Sequence, residues 1–137
     1  MKHIVYKAGY KYQLQEDYTV KIEIKPDATI LTEYITLSTD GTLRVKESYA
    51  WDGPSGPTLD TSNFMRGSLV HDALYQLMRD GYLDRNEWRK PIDILLRKVL
   101  LEDGMSYVRA WCAYWGIRLF AAKYARVSGE NPTLWAP

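Results

Sequence analysis

Cysteine is all but missing: Cys112 stands alone in 137 residues, which excludes an intramolecular disulfide framework and fits a reducing compartment or a fold that needs no bridges. Histidine is almost as scarce. With only His3 and His71 present, a phosphohydrolase centre built from several His and Asp ligands has too few ligands. His71 is also the only internal base for Ser55 or Cys112, and neither sits in a nucleophile elbow, which argues against serine or cysteine hydrolase chemistry. Charge of one sign is not in excess either: 18 basic and 17 acidic residues leave a formal net charge of +1. No global field therefore favours nucleic acid or an anionic membrane surface, and no nucleic-acid partner is expected. No apolar run is long enough for a transmembrane segment, and MKHIVYKAGYKYQLQ lacks the apolar core of a signal peptide, so the expected location is cytoplasmic.

What is present is a globular composition, 46% hydrophobic and 26% charged, with 11 Tyr and 5 Trp to be packed. The length suits one domain over residues 1–137. Within it a β-sheet part (1–50), a Gly/Pro loop (51–62), three helices (63–127) and a tail (128–137) are expected, an α+β fold.

Val20, Ile22 and Ile24 alternate with Lys21, Glu23 and Lys25, and Leu43 and Val45 alternate with Arg44 and Lys46. Asp40-Gly41 lies between two β-rich runs, Tyr34–Leu37 and Thr42–Val45, and predicts a hairpin. An antiparallel sheet of three or four strands is the expectation. From Tyr49 to Pro57, YAWDGPSGP carries two Gly and two Pro and reads as a shaped loop.

Beyond the loop the period becomes helical. Asp60, Ser62 or Asn63 can cap a first helix whose stripe holds Phe64, Gly67, His71, Leu74, Tyr75 and Met78, and Asp80-Gly81 ends it. A second helix spans about Arg85 to Asp103, with Pro91 expected in its first turn and Gly104 as its stop. The third, Ser106 to Val127, contains four cations and no acid. Its aromatics and Cys112 read as core, its cations as a solvated face.

The first two helices meet at a short turn near Tyr82, so they are antiparallel neighbours. His71 lies eleven residues before Tyr82 and Asp93 eleven after it, which puts them at equal heights on facing helices at about 1.5 Å per residue. Both stand on apolar stripes. An imidazole donating Nδ1–H to the carboxylate would satisfy both groups and leave Nε2 as an acceptor, the arrangement of an oriented general base. Tyr75, one turn after His71, can join them. Asp72 points about 100° away, and with the carbonyls of the Asp52-Gly53-Pro54-Ser55-Gly56-Pro57 loop it offers a carboxylate and oxygens of the kind Ca²⁺ takes. The bland readings remain open: a buried pair that only fixes helix packing, and a loop with ordinary turn chemistry.

The string HDALY, with Asp93 on a downstream helix and a Gly-rich loop upstream, resembles the phospholipase A2 superfamily, above all its disulfide-free viral-capsid type. The resemblance implies a phospholipase-like helix pair and a phospholipid or other ester as substrate. It makes His71 the base that activates water, Asp93 its orienting carboxylate and Tyr75 a supporting hydroxyl. Ca²⁺ would lie on Asp72 with Asp52, Gly53 and Gly56 of the loop. Pro54 and Pro57 depart from the pattern by offering no N–H. The longer run DGPSGPTLDTSNFMRGSLVHDALYQLMRDG is similar to a family of bacteriophage and prophage proteins. That similarity implies a bacterial host cytoplasm or a phage virion as location, and phage structural proteins as partners. The alternative it carries is a non-enzymatic virion or tail-associated binding protein on the same scaffold.

Overall fold

The computed structural model describes residues 4–7, 12–51 and 62–121. Among these residues, seven short strands precede three helices, so the α+β architecture expected from the periodicity is present. The strands are β1 (Tyr6–Lys7), β2 (Tyr12–Leu14), β3 (Tyr18–Lys21), β4 (Ile30–Leu31), β5 (Ile35–Leu37), β6 (Thr42–Val45) and β7 (Ala50–Trp51). The helices are α1 (Ser62–Arg79), α2 (Arg85–Glu102) and α3 (Tyr107–Phe120).

The strands form two antiparallel sheets where one was expected, in the orders β3-β6-β5-β4 and β1-β2-β7. In the first, the β5–β6 hairpin turns at Asp40-Gly41: Gly41 takes φ +90°, and the Asp40 carboxylate accepts the Thr42 N–H at 3.0 Å. A side chain at Gly41 would also collide with the Ile22 carbonyl, so this turn needs glycine twice over. Leu37, Leu43 and Val45 face inward while Arg44 and Lys46 face water, the alternation of a sheet with one wet face. The second sheet exists because β7 returns to β2, pairing Tyr12 with Trp51. Local turn chemistry cannot announce a pairing between strands so far apart in sequence.

α1 is the central element. Thirteen of its eighteen residues are buried, Arg66, Ser68 and His71 among them, so it is enclosed nearly all round, as a core helix is. Trp51 Nε1 donates to Ser68 Oγ at 2.9 Å, and Ser68 donates to the Met65 carbonyl, which joins the second sheet to α1 just before His71. Arg66, also buried, reaches the Asp103 carboxylate at 2.9 Å, Glu102 at 2.9 Å and the Tyr18 hydroxyl at 3.0 Å, joining α1 to β3 and to the end of α2. Buried charge is tolerated when paired in this way.

α1 and α2 run side by side through the turn at Gly81 (φ +84°). Gly67 lets them approach closely, since a Cβ there would stand 2.8 Å from a Leu100 methyl. Asp84 caps α2, accepting the Asn86 N–H at 2.9 Å. α2 therefore begins at Arg85, and Pro91 lies inside it instead of in its first turn. The cap and the apolar face of Ile92, Leu95, Leu96 and Val99 hold the helix through the backbone bond that Pro91 cannot make.

α3 departs furthest from expectation. Ser106 caps it, accepting the Arg109 N–H, and it packs through Ala110, Ala113 and Tyr114. Tyr107, Val108, Trp111, Trp115, Leu119 and Phe120 are exposed, as is Cys112, so the expectation of core aromatics holds for Tyr114 and is corrected for the other four rings, and that of a buried thiol is corrected. The buried side is carried by two alanines and the Tyr114 ring, over which Arg97 of α2 lies at 4.6 Å, while the other large rings stay outside.

Candidate functional site

Asp93, with 0% of its surface exposed, is the centre of the site, and each of the three helices sends side chains to it. α1 supplies His71 and Tyr75, one turn apart on its face toward α2. His71 Nε2 lies 2.7 Å from Asp93 Oδ1, and the Tyr75 hydroxyl donates to the same oxygen at 2.7 Å. The equal spacing about Tyr82 thus brings His71 and Asp93 together as anticipated. The rings of His71 and Tyr75 stack with centroids 4.1 Å apart.

The contact corrects the expected nitrogen. Asp93 Oδ1 already accepts from Tyr75, whose oxygen in turn accepts from Arg89 Nε at 3.2 Å, and Oδ2 accepts from Arg118 Nη1 at 3.0 Å. A carboxylate surrounded by donors is an acceptor toward His71 as well, so Nε2 carries the proton in the neutral ring and Nδ1 is the free lone pair. A histidine on a helix reaches across to its neighbour with the far end of the ring, which is Nε2. Nδ1 faces Asp72, whose nearer oxygen is 4.0 Å away.

Two arginines were missed by sequence reasoning as parts of this site. Arg118 comes from α3, where it read as a solvated cation, and turns inward to Asp93. Arg89 donates through Nη2 to the carbonyls of Ile117 and Arg118 at 3.1 and 2.9 Å, capping the end of α3 with the same side chain that holds Tyr75. Asp93 to Tyr75, Tyr75 to Arg89, Arg89 to the end of α3, and Arg118 back to Asp93 close a circuit. The signal in the sequence was the basic character of α3 opposite a buried acid with no assigned cation.

Burial alone would drive the Asp93 pKa up, but His71, Tyr75 and Arg118 outweigh it and hold the carboxyl below its ordinary value. Burial likewise disfavours imidazolium, yet the attraction of the Asp72 carboxylate and the hydrogen bond and charge of Asp93 prevail and raise the pKa of His71. Tyr75 is pushed upward by burial and by the Asp93 charge, so it stays a neutral donor.

Among the described residues, no group of three or more His, Cys, Asp or Glu side chains could hold a metal ion. Asp72, its side chain 34% exposed, supplies one carboxylate. Asp52, Gly53 and Gly56, the other expected calcium ligands, lie outside the described residues. Calcium takes about six to eight oxygens, and among the described residues Asp72 supplies the one carboxylate of that expected set. An open groove of about 660 Å³ lies at the α1–α2 turn, between Pro26–Leu31 and Gly81–Trp88, and none of its lining residues belongs to the Asp93 network. No described helix is long and apolar enough to cross a membrane. Compared with known proteins, the chain matches no family model, no curated protein and no solved structure.

Proposed function

We propose that the chain is a phage-related ester hydrolase resembling phospholipase A2, with a phospholipid carboxylic ester as substrate. The supporting observation is the Asp93–His71 contact through Nε2, which leaves Nδ1 as an oriented acceptor beside the partly exposed Asp72. His71 Nδ1 takes a proton from water as the water oxygen bonds to the ester carbonyl carbon. The imidazolium is held by Asp93, and its proton passes to the departing alkoxide as the ester C–O bond breaks. Tyr75 keeps the Asp93 oxygen in place. Calcium belongs to this proposal through Asp72, where a bound ion would supply electrostatic stabilisation of the developing oxyanion.

Fatty-acid release from phospholipid vesicles, with calcium or with chelator, tests the proposal. Wild-type turnover, lost in His71→Ala with the helical signal retained and reduced in Asp72→Asn, is the expected result. No turnover by the wild type in either buffer overturns it. A second reading then stands, a non-enzymatic phage binding protein, favoured by the exposed aromatic face of α3.

A further inference from the structure

Asp93 has no exposed surface, and the groups facing it are His71 and Tyr75 from α1, Arg89 from α2 and Arg118 from α3. Among the described residues, only Arg118 places a full positive charge in hydrogen-bond contact with it independently of histidine protonation, since Arg89 Nε stands 3.9 Å off. We infer that Arg118 is a positioning residue that fixes which nitrogen of His71 carries the proton, by keeping Asp93 an ionised acceptor.

The argument is one of proton accounting in a dry site. A buried carboxylate that loses its fixed cation lowers its energy by binding a proton. Protonated, Asp93 becomes a donor, and with Tyr75 already donating to Oδ1 the remaining partner able to accept is His71 Nε2. The ring must then carry its own proton on Nδ1, the nitrogen that faces Asp72. With Nδ1 protonated, the lone pair that could accept from water is gone. Arg118 so acts through Asp93 and never on the reacting atoms. Its place on α3, with the end of that helix clasped by Arg89, makes the seating of α3 part of the site's chemistry. The turnover consequence rests on His71 being the base; the tautomer consequence does not.

The test is two-bond ¹H–¹⁵N correlation on histidine-labelled protein at a pH where the His71 ring is neutral. Wild type is expected to carry the proton on Nε2, Arg118→Met on Nδ1, and Arg118→Lys on Nε2 again. Should Arg118→Met not fold, Arg118→Gln keeps a donor without the charge and is expected to move the proton the same way. Ester turnover should fall on the order of a hundredfold in Arg118→Met at little-changed KM, the size of a lost general base, and recover in Arg118→Lys. A wild-type proton on Nδ1, or a folded charge-free variant with the proton still on Nε2, overturns the inference. An Arg118-dependent tautomer without wild-type hydrolysis supports it while overturning the hydrolase.

Discussion

Replacing Asp93 by asparagine removes one charge and almost no volume, so its effect isolates the electrostatics of the site. In the wild type, Oδ1 accepts from His71 and Tyr75 at 2.7 Å each and Oδ2 accepts from Arg118 at 3.0 Å. An amide presents only one oxygen. If it faces His71 and Tyr75, the NH₂ opposes Arg118 donor to donor; if it turns, Arg118 is satisfied, but His71 must shift its proton to Nδ1 to accept from the NH₂ and Tyr75 loses its acceptor. Either way a cation in a partly buried position loses its counter-charge. Breaking one partner out of a buried ion pair typically costs about 3–5 kcal/mol. Urea unfolding followed by tryptophan fluorescence reads this as a lower midpoint at unchanged slope. The companion is the triple change His71→Phe, Asp93→Leu, Arg118→Met, which removes the acceptor with two of its three donors and leaves the Tyr75 hydroxyl bonded to Arg89. Because replacing a buried ion pair or triad by apolar groups is often neutral or stabilising, the triple variant should be more stable than Asp93→Asn. A loss under about 1 kcal/mol for Asp93→Asn, or a triple variant less stable than the single, would refute the reasoning.

The same network predicts a pH window. The depressed pKa of Asp93 contributes stability that is complete above the ordinary value of 3.8 and lost as pH falls through the folded value. The raised pKa of His71 contributes stability that is complete below 6.5 and lost as pH rises through its higher folded value. Unfolding midpoints across pH should show both contributions together between 3.8 and 6.5, and a His71→Phe variant should lose the alkaline fall. Arg66→Met leaves Asp103 and Glu102 without their cation and the Tyr18 hydroxyl without its donor. Because these carboxylates are partly exposed, a cost of roughly 2–3 kcal/mol is expected by urea unfolding. Trp111→Ser on the outward side of α3 should change stability by no more than about 0.5 kcal/mol, and a larger loss would mean that this side is covered.

The His71–Asp93 meeting was legible because both helices are regular and the turn between them is short, so counting residues from Tyr82 measures distance directly. The Asp40-Gly41 hairpin was legible because its backbone demands glycine. The nitrogen that contacts Asp93 was not, since ring orientation depends on how far the helices stand apart, which Gly67 sets through a contact with Leu100 absent from any local pattern. The second sheet rests on residues 12–13 meeting 50–51, beyond the reach of turn chemistry. The start of α2 near Arg85 was legible, but Pro91 misled as a mark of the first turn, because proline was weighed by propensity while the Asp84 cap and the apolar face hold a full turn of helix ahead of it. α3 misled because large apolar residues stand on every side of it and do not say which side packs, and Ala110, Ala113 and Tyr114 took the inside.

The outward strip of α3 spans Tyr107, Val108, Trp111, Cys112, Trp115 and Leu119, an arc of about 140° at 100° per residue. A molecule of net charge +1 has little Coulomb repulsion between copies to offset such a strip. Its colloidal behaviour is therefore governed by hydration more than by ionic strength. Sulfate should depress its solubility steeply, small amounts of urea should raise it before any unfolding begins, and moderate sodium chloride should do little.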